Sequence, residues 1–352
     1  MESSPLLKND HIEGDESLQF CDKIILEVPS TERPTRNGIR KVLIFFITGN
    51  PALIEYYRPF LSFLQSQLHE ISPRPYEIHI QGQSLPGFEI ASDSDPNRHL
   101  TSAQPNDLHA HIEFTHRALQ TATQALISAS TPPTPPRVIL IGHSIGAYIA
   151  LELLRLQHHS SAAIGLFPTI ADLASSPNGA LFTALTSVPF ALPAMHLAAR
   201  LVGAVVPGAW VAAAARRAAG MESRAAEVTA AWARSGGGVR AALAMGRDEM
   251  RVVGAERWGA EVWGGEARRG PKLFFYFGAE DRWVGRATRD GIVAVRGGRE
   301  GGAWAPVMEI DGNGVPHGFC VREEHSRIVA AKVRQYVEEA VSLWESNIGI
   351  GQ

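Results

Sequence analysis

Hydrophobic and polar positions change their spacing in blocks along this chain. Short apolar runs stand at 23–28, 42–47, 76–80, 138–141, 162–167, 273–277 and 307–310. Several are continuously apolar, as strands covered on both faces should be. Between most of them the spacing lengthens to the i, i+3, i+4 pattern of amphipathic helices, over roughly 56–70, 107–129, 145–158, 285–295 and 322–345. Strands alternating with helices predict an α/β architecture with a mostly parallel central sheet flanked by helices. The proline-rich TPPTPP at 131–136 reads as a loop that delivers the chain into the strand at 138.

The alternation breaks once. Between about 168 and 270 no strand pattern occurs, and alanine-rich stretches such as WVAAAARRAAG predict helices. This divides the chain into a polar tail at 1–20, expected to be disordered, a core formed by 21–167 and 271–348, and a helical cap or lid at 168–270.

Composition narrows the function classes. The 352 residues are 45% apolar and 20% charged, with a net charge of -3, which gives no reason to expect a nucleic-acid partner. The two cysteines, Cys21 and Cys320, are too few and too widely spaced for a metal framework and suit a reducing compartment. The opening segment MESSPLLKNDHIEGDESLQF lacks the basic and apolar blocks of a secretory signal, so none is expected.

The chemistry begins at VILIGHSIGAYIALELL, residues 138–154. Gly142-His143-Ser144-Ile145-Gly146 fits G-x-S-x-G between a strand and a helix, the context of a nucleophile elbow. The turn is too tight for bulky neighbours, hence Gly142 and Gly146. It lifts the Ser144 hydroxyl to a helix N-terminus, where developing negative charge is favoured. The plain alternative is a structural turn. His143 lies inside the motif but should point away from the serine.

A nucleophilic serine needs a base, and the base an orienting acid, in chain order Ser, acid, His. The strand KLFFYF ends in AEDRW, which makes Asp281 the candidate acid, with Glu280 beside it as the alternative. The last strand leads into DGNGVPHGF, a glycine-rich loop that can carry His317 over the sheet edge. His109, His111, His116, His158, His159 and His325 fall on helices and read as surface residues. The loop Thr48-Gly49-Asn50-Pro51 follows the first central strand. Its Asn50 amide pairs with that of Ile145 as the expected oxyanion donors, unless the loop is a plain turn.

FFITGNPALIEYYRPFL (45–61), LIGHSIGAYIALELL (140–154), FPTIADLASSPNG (167–179) and the FGAEDRW and VPHGF segments together resemble the lipid droplet-associated hydrolase family of the α/β-hydrolase superfamily. The resemblance implies an α/β-hydrolase fold with a Ser144–His317–Asp281 triad and no cofactor or metal. It also implies hydrolysis of neutral lipid esters such as sterol esters, at lipid droplets and the cytosolic face of the endoplasmic reticulum. Two departures stand out: the loop begins Thr48-Gly49 where many such hydrolases carry His-Gly, and the cap is rich in alanine and glycine.

The cap adds a physical argument of its own. No charged residue occurs from Leu173 to Ala199, and a second uncharged run follows Arg200 as far as Ala215. At ~1.5 Å per residue the first run is long enough to cross a ~30 Å hydrocarbon layer. Pro189, Pro193 and Pro207 interrupt these runs and predict a bent hairpin over about 173–215. Such a hairpin enters a lipid monolayer and returns on the same side. The alternative is a lid that covers the pocket. Arg216, Arg217, Arg224 and Arg234 would meet anionic headgroups or form an ordinary solvated face. The leading expectation is a serine esterase or lipase acting on acylglycerols or sterol esters. The rivals are a droplet-organising scaffold with vestigial activity and an acyl transferase using the same triad.

Overall fold

Seven strands hydrogen-bond into one sheet in the spatial order β1-β3-β2-β4-β5-β6-β7. They are β1 (Lys23–Val28), β2 (Arg40–Ile47), β3 (Tyr76–Gln83), β4 (Arg137–His143), β5 (Ala162–Leu166), β6 (Lys272–Phe277) and β7 (Val307–Ile310). The computed structural model describes residues 20–32, 40–90, 107–156, 162–235, 237–264, 270–297, 302 and 305–348. The expected tail, Phe20 apart, falls outside these residues, as do His158 and His159.

β1 runs antiparallel to β3, and all other neighbours are parallel. The central strands are the continuously apolar ones. β4 is buried from Val138 to His143, and β5 and β6 are buried throughout. Register brings their carboxyl ends into line: Ile47 faces Gly142, His143 faces Leu166, Leu166 faces Tyr276, and Phe277 faces Ile310. The loops after β2, β4, β5, β6 and β7 therefore gather along one edge.

Helices cover the sheet. α1 (Arg58–His69) packs with the carboxyl-terminal helix Glu323–Ile348, and α2 (Leu108–Ser128) packs with α3 (Ile145–Leu156). Asp107 caps α2 by accepting from the Ala110 amide. One surface expectation is corrected here. Leu108, His111, Thr115, Leu119 and Ala122 repeat at helical spacing, so His111 sits on the inward stripe of α2, 1% exposed and beside Phe88. Burial lowers its pKa to about 4.

Among the described residues no strand lies between β5 and β6. That interval holds α4 (Pro177–Ser187), α5 (Ala191–Val205), α6 (Gly208–Ala219), α7 (Ser223–Arg234), α8 (Gly238–Val252) and the short α9 (Ala260–Trp263). The prolines fall where helices begin or bend. Pro189 lies between α4 and α5, Pro193 in the first turn of α5, and Pro207 just before α6. α4 and α5 meet at 96°. α10 (Arg286–Arg296) and α11 (Glu323–Ile348) complete the order.

Candidate active site

Ser144 sits between β4 and α3 with φ +54°, in the left-handed region. Such a conformation costs on the order of 1–3 kcal/mol for a residue with a Cβ and persists only when its surroundings enforce it. They do so here. The Ser144 amide donates to Leu166 O at 2.9 Å, and the Ser144 carbonyl accepts from the Ala147 and Thr169 amides. The flanking glycines answer to close approach. A Cβ on Gly142 would lie 2.2 Å from Gly146 O, and one on Gly146 would lie 2.4 Å from Ile47 O.

The loops after β6 and β7 meet this turn. Ser144 Oγ lies 2.9 Å from His317 Nε2, and His317 Nδ1 lies 2.7 Å from Asp281 Oδ2. With Nδ1 protonated toward the carboxylate, Nε2 is left to accept from the serine hydroxyl. Asp281 Oδ1 accepts the Trp283 and Val284 amides at 2.8 and 3.2 Å. Burial alone would raise the Asp281 pKa. The bond from His317 and these two amides outweigh it and hold the carboxyl below its usual range. Glu280, the alternative acid, is 82% exposed and pairs with Arg286 instead. The loop carrying His317 is tied down at its root by Asp311, whose Oδ2 accepts the Val315 and Asn313 amides at 2.7 and 3.1 Å.

His143 points away from the serine hydroxyl. Its ring nitrogens lie 2.7 Å from Tyr57 Oη and 2.9 Å from the His317 carbonyl. Burial, and then the neighbouring His317, lower its pKa to about 3, so it is neutral and unsuited as a base.

The loop after β2 runs against the serine turn. A Cβ on Gly49 would lie 2.9 Å from His143 Nδ1 and 3.0 Å from Ser144 Cβ. Among the described residues, neither the Asn50 nor the Ile145 amide donates to another backbone group. Ile145 opens α3, where the first amides have no acceptor within the helix. The Asn50 side chain is held by the cap: its Nδ2 donates to Ala242 O and to Glu249 Oε1, each at 3.0 Å. Two residues with a part in this site carry no sequence signal of their own. Tyr57 is one apolar position among many before α1, and Glu249 stands on a helix face as any surface glutamate would. Among the described residues no group of three or more His, Cys, Asp or Glu side chains is arranged to hold a metal ion.

The profile of a family described as lipid-droplet associated hydrolase matches residues 40–320. A human protein named lipid droplet-associated hydrolase is 32% identical over 149 residues, covering 41% of this chain and 43% of that protein. Its namesake from Gallus gallus is 30% identical over 152 residues, covering 42% of this chain and 43% of the relative. In both, the matched segment spans less than half of the relative's length. Among solved structures, a peroxisomal alpha-beta-hydrolase from Saccharomyces cerevisiae superposes with a TM-score of 0.58 at 12% identity, covering 92% of this chain and 89% of that one. A carboxylesterase from Nitrososphaera gargenis reaches a TM-score of 0.50 at 14% identity, covering 91% and 95%. At such identities the likeness shows the α/β-hydrolase fold and nothing finer.

Proposed function

The chain belongs to the lipid-droplet associated hydrolase family, and on that premise we propose that it is a serine ester hydrolase working at a lipid surface. The observation that carries the reading is the unbroken hydrogen-bond series from Ser144 through His317 to Asp281 at the carboxyl edge of the sheet. Ser144 Oγ attacks the ester carbonyl while His317 Nε2 takes its proton. The Asn50 and Ile145 amides receive the oxyanion, an arrangement worth roughly 10²–10³ in rate per donor. His317 then gives its proton to the departing alcohol, leaving an acyl-serine. Water, activated by the same imidazole, releases the acid. The chemistry calls on no metal or organic cofactor.

The proposed substrates are neutral lipid esters, sterol esters or acylglycerols, met at the droplet monolayer or the endoplasmic reticulum membrane. The support is the outward face of α4 and α5. Phe190, at their junction, is 83% exposed, Val205 at the end of α5 is 78% exposed, and Trp210 in the first turn of α6 is 71% exposed. Leu181 on α4 and Leu197 and Leu201 on α5 are exposed as well. Among the described residues no single helix is long and apolar enough to cross a membrane, but this bent pair passes by length and composition. An apolar patch of this kind marks a contact surface, and its shape suits entry and return on one side. The same exposure favours a second reading, a droplet-organising protein whose triad is idle.

Labelling by a fluorophosphonate probe separates the two. The wild-type chain should label and Ser144→Ala should not, with both proteins folded and both binding droplets. Absence of labelling in the wild type, with detergent or lipid present, would leave the scaffold reading in possession.

A further inference from the structure

Three loops converge on Ser144, and one series of hydrogen bonds ties two of them, those after β2 and β7, to the serine turn. The Gly49 amide donates to Tyr57 Oη at 3.0 Å, Tyr57 Oη lies 2.7 Å from His143 Nδ1, and His143 Nε2 lies 2.9 Å from the His317 carbonyl oxygen. The directions follow from what each group can do. A carbonyl only accepts, so His143 carries its proton on Nε2. Nδ1 then carries a lone pair and accepts a hydrogen bond from the Tyr57 hydroxyl. The Tyr57 oxygen in turn accepts from Gly49. One neutral tautomer satisfies every member.

The surroundings enforce that state. Tyr57 and His143 are 2% and 5% exposed, and the rings of Phe167 and Phe319 stand edge-on to the imidazole. A charged His143 would have to donate from both nitrogens. The Tyr57 proton would then be left to the buried Cys320 thiol beside it, a weak acceptor. His317 and Asp281 are the other titratable groups that face the ring.

We infer that His143 and Tyr57 are positioning residues, which lock the backbone of His317 and the Gly49–Asn50 loop in register with Ser144. The inference rests on the triad reading proposed above. Both side chains are buried, and each acts through the groups it hydrogen-bonds. His143 occupies the elbow position before the nucleophile, and its buried ring is held at both nitrogens. Through Nε2 it sets where the His317 backbone lies, and through Tyr57 it sets the loop that brings in the Asn50 amide. A displacement of about 1 Å in such a constellation costs on the order of 10²-fold in rate.

The experiment compares Tyr57→Phe, His143→Leu and His143→Gln with the full wild-type chain on a short-chain nitrophenyl ester, with melting temperatures measured in parallel. Tyr57→Phe should lower kcat about tenfold with KM and melting temperature nearly unchanged. His143→Leu should lose more, and His143→Gln, whose amide still donates to the His317 carbonyl, should recover part of the loss. Nitrogen-15 NMR of the imidazoles, with His143 assigned by His143→Gln, should show a neutral ring protonated on Nε2 from pH 5 to pH 9. An Nδ1–H tautomer or an imidazolium in that range overturns the inference, as does a kcat for Tyr57→Phe and His143→Leu within about twofold of wild type, or an effect on KM alone. If Tyr57→Phe does not fold, His143→Gln and the NMR decide. A wild type that neither turns over ester nor labels with fluorophosphonate brings down the triad reading and this inference together. An active wild type with unimpaired variants brings down this inference alone.

Discussion

Glu249 is a carboxyl with almost no access to water, 5% exposed, and it accepts from the Asn50 side chain at 3.0 Å. Burial raises its pKa to about 8, against the opposing bond from Asn50 and with added repulsion from Asp248. The sign of the pH effect follows. Unfolded, the group titrates near 4.5, so between about 4.5 and about 8 the folded chain holds a proton that the unfolded chain has lost. Stability from this site is fully present below the lower value and is lost as pH rises through the upper one. Glu249→Gln keeps the acceptor for Asn50 and cannot ionise. Its gain over wild type in urea unfolding should be near zero at pH 4 and grow to the order of a few kcal/mol at pH 9. A gain of the same size at both pH values would mean that Glu249 does not titrate in this window.

At the scale of elements, the bent pair α4–α5 has two unlike faces. Its inner side is packed: a Cβ on Gly203 would lie 3.0 Å from Ala233 O, so α5 lies close against α7. Its outer side carries Leu197 and Leu201, one turn apart and each 58% exposed. Folding alone gives no reason to leave this face apolar. Replacing both leucines with glutamate should weaken flotation with phospholipid-coated triolein droplets by about tenfold or more, since each buried leucine is worth roughly 1.5–3 kcal/mol. Turnover of a soluble short-chain ester should stay within about twofold. If flotation is unchanged, this face is not the one that meets lipid.

At the scale of the molecule, the cap is joined to the core both by a shared apolar cluster, to which Val228, Met245 and Trp258 belong, and by buried polar contacts. Glu55, whose side chain is fully buried, pairs with Arg58 of the core and Arg224 of α7. Burial would raise its pKa, but the two guanidinium groups reverse that and hold it low. Tyr56 Oη and Thr229 Oγ1 meet at 2.7 Å nearby, and the Glu222 amide donates to Val321 O at 3.1 Å. Among the cap arginines singled out from the sequence, Arg224 is thus a structural residue. Arg234 donates to Val206 O at the surface, and Arg216 and Arg217 are exposed. Arg224→Ala removes the cap's side of the ion pair while Arg58 still serves Glu55. It should cost about 1.5–3 kcal/mol and speed amide exchange across α7 and α8, leaving the sheet protected. Faster exchange in the sheet as well would show that cap and core unfold as one unit.

Some of this was legible in the residues alone, because it depends on neighbours a few positions apart. Continuous apolar runs marked the central strands, helical spacing marked the flanking helices, and the prolines marked the bends between 177 and 208. The glycines around Ser144 announced a tight turn for the same local reason. Chain order nominated Asp281 and His317 as its partners. Pairings across long separations were decided by sheet order and register and by how the helices pack on the sheet and its loops. They turned Asp281 inward and left Glu280 to Arg286. They brought His143 to the His317 carbonyl across 174 positions and Asn50 to Glu249 across 199. They also placed His111 beneath Phe88. A histidine or glutamate on a helix looks the same in sequence whether it meets water or a buried partner. Only packing removes the water, and with it sets which of these groups is neutral, which is charged and which bond each must make.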